Sequence, residues 1–277
     1  AASPGMGVHL PNVHPFKAGR LLFCHNGAIQ QFSKIRRKIL NQLTDEAYNG
    51  IQGTTDSEVC FALILTNLAK DGHGQCPYQQ RSPYGHERLY HAVKRTIRQL
   101  EHVLQAAGIA DATPTPSRMN FALSDGETVV CSRFCDKYPQ EPPPSLYYCY
   151  GDAQQLQAEL LDEDNASTGG GGGANDSGNE TDDTLDLTRD EHRDAIEKDL
   201  SQQTSLPGKL LKEVDPASSG LIISSDPLVK SSTQLSWHRM AANSILCYTR
   251  GEIPRLYHLN VGGAKRPEDY AFFMVDL

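Results

Sequence analysis

Arg20-Leu21-Leu22-Phe23-Cys24-His25-Asn26-Gly27 is a short apolar run closed by an Asn-Gly pair. A run of strand length, followed by the dipeptide that most readily supplies the backbone freedom of a tight turn, predicts a strand and then a turn. Successive side chains on a strand point to opposite faces, so Cys24 and His25 are expected to face apart and not to form a thiol–imidazole dyad. Ser33 to Leu43 follows, with Ile35, Ile39, Leu40 and Leu43 at three-to-four spacing beside Lys34, Arg36, Arg37 and Lys38. This predicts an amphipathic helix with a solvated basic face, since four cations without interleaved aromatics make no nucleic-acid motif.

Downstream, Ile51-Gln-Gly-Thr-Thr-Asp-Ser-Glu58 leads into the apolar stretch Val59 to Leu65. Asp56 or a neighbouring threonine is placed to cap the free amides of a helix starting there. His86 to Ala107 carries Leu89, Val93, Ile97, Leu100 and Leu104 along one side and predicts a long helix in which His91 and His102 are ordinary members. Met119 to Ser124 and Thr128 to Arg133 read as strands joined by the hairpin signal Asp125-Gly126. Leu146–Tyr150, Gly220–Ser225, Ser244–Tyr248 and Pro254–Leu259 add further strands. Helices early and strands late predict a layered α+β core without internal repeats.

The chain has 277 residues, 38% hydrophobic and 22% charged, with a net charge of −8. That charge is concentrated: Asp152 to Leu200 holds 15 Asp and Glu against 3 Lys and Arg, leaving the remainder at about +4. The same segment contains the glycine run Gly169 to Gly173, a composition that buries too little apolar area to offset the entropy of ordering. Residues 152–207 are therefore expected to be an acidic, Gly-rich disordered insertion between residues 1–151 and 208–277 of one domain. No apolar run reaches the roughly 18 residues that span a bilayer, and no membrane partner is expected. Seven scattered cysteines read as reduced thiols of a cytoplasmic protein. Cys131 and Cys135 lack a second Cys/His pair at zinc spacing, so neither metal nor cofactor is expected. Ser224-Ser225-Asp226 lacks the flanking glycines of a nucleophile elbow.

Taken in order, His14-Pro-Phe, His25-Asn-Gly-Ala-Ile, Phe32-Ser-Lys-Ile-Arg-Arg and Gln52-Gly-Thr-Thr-Asp-Ser-Glu resemble the glutaminase domain of class II glutamine amidotransferases, which are N-terminal nucleophile hydrolases. The wording is closest to the fungal branch that works in the alternative cytosolic pathway of glutathione degradation, and Ile223-Ser-Ser-Asp-Pro-Leu with Trp237 is similar to that branch as well. The resemblance implies a four-layer αββα fold and hydrolysis of a γ-glutamyl amide such as glutamine or glutathione, with a metallopeptidase-like partner subunit. It implies that Asn26, through its side-chain amide, and Gly27, through its backbone N–H, form the oxyanion hole. It also implies that Asp56 pairs with the α-ammonium of the substrate, with Thr55, His14 and His25 at neighbouring substrate-binding positions.

The departures are equally specific. The family's nucleophile is an amino-terminal cysteine and its carboxylate-binding arginine precedes His14-Pro-Phe, whereas this chain opens at Ala1 and has no arginine before His14. The expectation is a fold incomplete at its N-terminus, a fragment of a γ-glutamyl hydrolase. The alternative is a noncatalytic, amidotransferase-like binding subunit.

Overall fold

The computed structural model describes residues 10–71, 76–157, 215–227, 236–259 and 274–275. A short hairpin of β1 (Phe16–Ala18) and β2 (Leu21–Ala28) is followed by three helices, α1 (Phe32–Leu40), α2 (Asp45–Asn49) and α3 (Asp56–Asp71). The long α4 (His86–Ala106) and the one-turn α5 (Ile109–Ala112) lead to β3 (Arg118–Ser124), β4 (Thr128–Arg133) and β5 (Tyr147–Asp152). Then come β6 (Ser219–Ser224), β7 (His238–Arg239), β8 (Ser244–Thr249), β9 (Arg255–His258) and β10 (Met274–Val275). Two antiparallel sheets result, one in the order β1-β2-β3-β4-β8-β9-β10 and one in the order β6-β5-β7.

The large sheet has a different layer on each face. On one side lie the helices: the Phe23 ring stacks on Phe61 of α3 with centroids 5.2 Å apart, and Tyr90 of α4 meets Tyr257 of β9 at 4.5 Å. α3 is buried continuously from Ser57 to Leu68, because α1, α2, α4 and β2 surround it. This is why its sequence is an unbroken apolar run and not a stripe. α4, at the surface, buries the predicted row Leu89, Val93, Ile97, Leu100 and Leu104. On the sheet's other side, Cys131, Leu246 and Leu256 pack against Leu146, Tyr148 and Met240 of the small-sheet region. The fold is thus mixed α and β with antiparallel sheets, and the described residues supply three layers of the αββα expectation. Among the described residues there is no second helical layer.

Polar groups fasten the sheets together. Arg133, fully buried on β4, donates from Nε to Pro144 O (2.9 Å), from Nη1 to Met240 O (2.8 Å) and from Nη2 to Pro143 O (3.0 Å). Asn120 of β3 donates to Pro144 O and Ser145 O, just before β5 begins. A buried guanidinium and amide that satisfy backbone carbonyls in this way fix the approach of the small sheet, since separating them would strand charged and polar groups away from water.

Two expectations need correction. The Asn26-Gly27 pair is not a turn: β2 continues through it, and Asn26, Gly27 and Ala28 pair with Asn120, Met119 and Arg118 of β3. Gly27 serves close approach instead. A Cβ built there would stand 2.0 Å from the Arg118 carbonyl oxygen, and its φ of 149° belongs to the region that side chains avoid. The predicted Ser33–Leu43 helix also stops at Leu40, although Leu43 still packs on the core. Of the predicted insertion, residues 158–207 lie outside the described residues. β5 itself ends at Asp152, and Leu156 is buried beside Gly151 and Gly220.

Candidate active site

The end of β2 and the start of α3 are joined by one carboxylate. Asp56 Oδ2 accepts the N–H of Ile29, immediately beyond β2, at 2.7 Å, and Oδ1 accepts the N–H of Ser57 at 2.8 Å. The Ser57 hydroxyl lies 3.4 Å from Oδ1. The cap of α3 is Thr55, whose Oγ1 accepts the Glu58 N–H at 3.2 Å. That assignment resolves which residue caps the helix and leaves Asp56 to a different task. Glu58, buried, turns back to accept the N–H groups of Gln52 (2.8 Å) and Gly53 (2.6 Å), and Asn12 Oδ1 accepts the Thr54 N–H (3.1 Å). The loop from Gln52 to Asp56 is held rigid by these bonds, with the Asp56 charge at a helix N-terminus, where the peptide dipoles favour it.

His25 faces the helices. Its Nε2 lies 2.9 Å from the Arg118 carbonyl oxygen and its Nδ1 lies 3.0 Å from Ser57 Oγ. A carbonyl only accepts, so Nε2–H is the donor and Nδ1 accepts from the serine hydroxyl. Burial lowers the His25 pKa, against a raising influence from the Arg118 carbonyl and Asp56. Burial also lowers that of His14, again against Asp56. The histidines and Asp56 therefore lie within electrostatic reach of one another. With both ring nitrogens bonded, His25 supports the Asp56 loop. His14 stands edge-on to Phe16 at 4.9 Å.

The opposite face of β2 is open. Leu22, Cys24 and Asn26 alternate there and are exposed, while Leu21, Phe23 and His25 are buried on the other side. Asn26 and Asn120 sit side by side across β2 and β3 and reach toward the small sheet, Asn26 Nδ2 donating to Ser225 Oγ at 3.3 Å. The structure thus brings Asn26, Gly27, Thr55, Asp56, His14 and His25 to one end of β2. Sequence reading missed Ser225, Glu58 and Ser57. The Thr55-x-x-Glu58 spacing carried a readable signal, being the pattern of a capping box.

Five of the thiols are shifted away from the thiolate form. Burial raises the pKa of Cys24, Cys60 and Cys247, and pushes Cys131 to about 12 and Cys135 to about 11. A reactive cysteine needs the opposite shift. Among the described residues no cluster of three or more His, Cys, Asp or Glu could hold a metal ion, and no helix is long and apolar enough to cross a membrane.

No protein-family model matches the chain. It is 42% identical over 138 residues to the probable glutamine amidotransferase DUG3 of Saccharomyces cerevisiae, a match spanning 50% of this chain and 38% of the relative's length. Among solved structures, a glutamine aminotransferase class-II domain protein from Silicibacter pomeroyi aligns at 21% identity and a TM-score of 0.49, covering 92% of this chain and 74% of that one. A predicted glutamine amidotransferase from Pseudomonas aeruginosa aligns at 16% identity and a TM-score of 0.41, covering 88% of this chain and 64% of that one. Over half of its length, then, the chain is related to a probable glutamine amidotransferase, as the resemblance of its motifs to the class II glutamine amidotransferases implies.

Proposed function

We propose that the Asn26-Gly27 strand end and Asp56 form the oxyanion and substrate-ammonium sides of a site that hydrolyses a γ-glutamyl amide. The observation that carries this reading is the 2.7 Å bond from Ile29 N–H to Asp56 Oδ2, which locks the carboxylate to the strand end that bears both candidate oxyanion donors. A carboxylate offers about four acceptor sites, and the backbone bonds to Ile29 and Ser57 leave capacity for an ammonium. A thiolate attacking the amide carbon makes a tetrahedral intermediate whose negative oxygen needs donors fixed in advance. Asn26 Nδ2–H and Gly27 N–H supply them without reorganisation. Collapse of the intermediate breaks the C–N bond and releases ammonia or an amine, which takes up the proton the thiol gave up, and leaves a γ-glutamyl thioester that water then hydrolyses to the free carboxylate and the thiol. The resemblance to the class II glutamine amidotransferases implies that this thiolate is that of an amino-terminal cysteine, whereas the sequence opens at Ala1.

The finer reading is that the substrate is glutathione, that a metallopeptidase-like subunit is the partner and that the reaction is cytoplasmic. It rests on the similarity of His14-Pro-Phe, Phe32-Ser-Lys-Ile-Arg-Arg and Ile223-Ser-Ser-Asp-Pro-Leu to the fungal branch. A noncatalytic binding subunit is the competing reading, favoured by the fact that both Asp56 oxygens already accept backbone N–H groups.

The test is made on the native full-length chain. Asp56→Asn keeps the side chain's shape and removes its charge, and it should raise KM for a γ-glutamyl amide strongly. Asn26→Ala should lower kcat by about 10²–10³ with KM little changed. An Asp56→Asn variant that loses thermal stability while KM stays put would assign Asp56 to the latch alone. Native N-terminal sequencing that finds no amino-terminal cysteine would leave the binding subunit as the reading.

A further inference from the structure

We infer that Ser225, which lies 199 residues from Asn26 in the chain, is a positioning residue for the oxyanion hole. The inference rests on the reading of Asn26 as an oxyanion donor. Asn26 is exposed on the open face of β2. The contact given for its amide is the 3.3 Å bond from Nδ2 to Ser225 Oγ. An amide nitrogen carries two hydrogens in a fixed plane, so committing one to Ser225 sets the direction of the other. That second hydrogen is the one free to meet a developing oxyanion.

The placement of Ser225 is itself well determined. β6 pairs with β5 from Ser219↔Asp152 to Ser224↔Tyr147, so the residue after β6 emerges beside the start of β5. Just before β5 lie Pro144 and Ser145, whose carbonyls accept Asn120 Nδ2. Asn120 is the cross-strand neighbour of Asn26. The asparagine pair thus grips both flanks of the β5–β6 pair, Asn120 through backbone carbonyls and Asn26 through one hydroxyl. Arg133 holds the same flank from β4 through Pro143 O and Pro144 O. The start of β5 is anchored by Asn120 and Arg133 and β6 is held to β5 by strand pairing, so the end of β6 is placed without the Asn26–Ser225 bond. Its consequence falls on the orientation of the Asn26 amide.

The expected cost of losing the bond is modest, because a neutral hydrogen bond at an exposed site is worth about 0.5–1.5 kcal/mol, or roughly twofold to tenfold in rate. In the full-length chain, with glutamine and glutathione each assayed, Ser225→Ala should lower kcat threefold to tenfold (roughly, on that scale) and leave KM and Tm unchanged. Ser225→Thr keeps the hydroxyl and should restore kcat. Combining Ser225→Ala with Asn26→Ala should cost no more than Asn26→Ala alone, since the serine acts only through the amide. If Asn26→Ala lowers kcat and Ser225→Ala does not, or if threonine fails to rescue, the role of Ser225 is overturned while the oxyanion reading stands. If Asn26→Ala itself leaves kcat unchanged, the oxyanion reading fails and the role of Ser225 falls with it. A Ser225→Ala variant with lowered Tm would mark the bond as structural and overturn the inference.

Discussion

The two faces of β2 are one residue apart in sequence and opposite in every physical respect. Toward the helices, Leu21, Phe23 and His25 are buried, the Phe23 ring lies on Phe61, and both nitrogens of His25 are bonded. Toward the small sheet, Leu22, Cys24 and Asn26 are exposed, and Asn26 reaches a single hydroxyl through one of its two amide hydrogens. The closed face has spent its hydrogen-bonding capacity on the fold. The open face keeps donors in reserve, and a site has to be built from groups with capacity left over. The strand therefore has its packing on one side and donors with spare capacity on the other, and Gly27 is where the two meet.

The severest way to break this division is at Gly27. A methyl there would stand 2.0 Å from the Arg118 oxygen, 2.7 Å from the Arg118 carbonyl carbon and 2.9 Å from His25 Nε2. Two of those three atoms are backbone and cannot swing away, so the β2–β3 pairing must open and take the His25–Arg118 bond with it. Gly27→Ala is expected to cost at least ~3 kcal/mol, at the upper end of overpacking or beyond it. Urea unfolding would read this as a lower midpoint. A variant as stable as the parent would mean that β2 and β3 separate there at little cost, and that Gly27 is replaceable on structural grounds.

Protonation of His25 sharpens the comparison from the closed side. Burial lowers its pKa below the ordinary value of 6.5, so the unfolded chain binds a proton that the folded chain refuses. The stability contribution is full above pH 6.5 and is lost as pH falls from there through the folded pKa, with a slope of at most ~1.4 kcal/mol per pH unit from this group. Ser57, the Arg118 carbonyl, Phe121, Asp56 and His14 are the groups that face or influence the ring. His14 is shifted in the same direction, so comparing the parent with His25→Gln isolates one imidazole. Denaturation midpoints measured between pH 8 and pH 5 should fall less steeply in the variant. Equal slopes would mean that His25 titrates alike in the folded and unfolded states.

What could be read from the sequence divides along similar lines. α4 was legible because its apolar residues recur every three or four positions and every member of the row is buried. The β3–β4 hairpin was legible because Asp125 carries its own turn chemistry, with Oδ1 accepting the N–H groups of Glu127 and Thr128. Asn26, Gly27 and Asp56 were legible through motif resemblance, not through spacing. Their meeting depends on the long-range pairing of β2 with β3 and on the Asp56–Ile29 bond. The Asn-Gly pair misled because its local preference for a turn is overridden by seven consecutive partners on β3. Asn120, Arg133 and Ser225 were illegible for one shared reason. Their partners are carbonyls and amides 10 to 199 positions away, and nothing in a local window marks a polar residue as the clamp of a distant loop.

The smallest predicted effect on stability concerns Cys24, which sits two residues before Asn26 on the open face. Cys60, Cys131, Cys135, Cys149 and Cys247 are buried, whereas Cys24 is exposed, so a maleimide should reach Cys24 under native conditions well before it reaches any of those five. Partial burial raises the Cys24 thiol, which keeps it protonated near neutrality and makes its labelling slower than that of a free thiol but faster as pH rises. Cys24→Ser replaces a thiol by a hydroxyl of similar shape at an exposed position and should change stability by less than ~0.5 kcal/mol. The adduct, by contrast, would stand beside Asn26 on the same strand face and should abolish turnover of a γ-glutamyl amide in the full-length chain, while Cys24→Ser protects against that loss. Mass spectrometry of the labelled peptide and the residual rate decide the matter together. A modified Cys24 with full activity would put the substrate on another path and close the open face of β2 as a site.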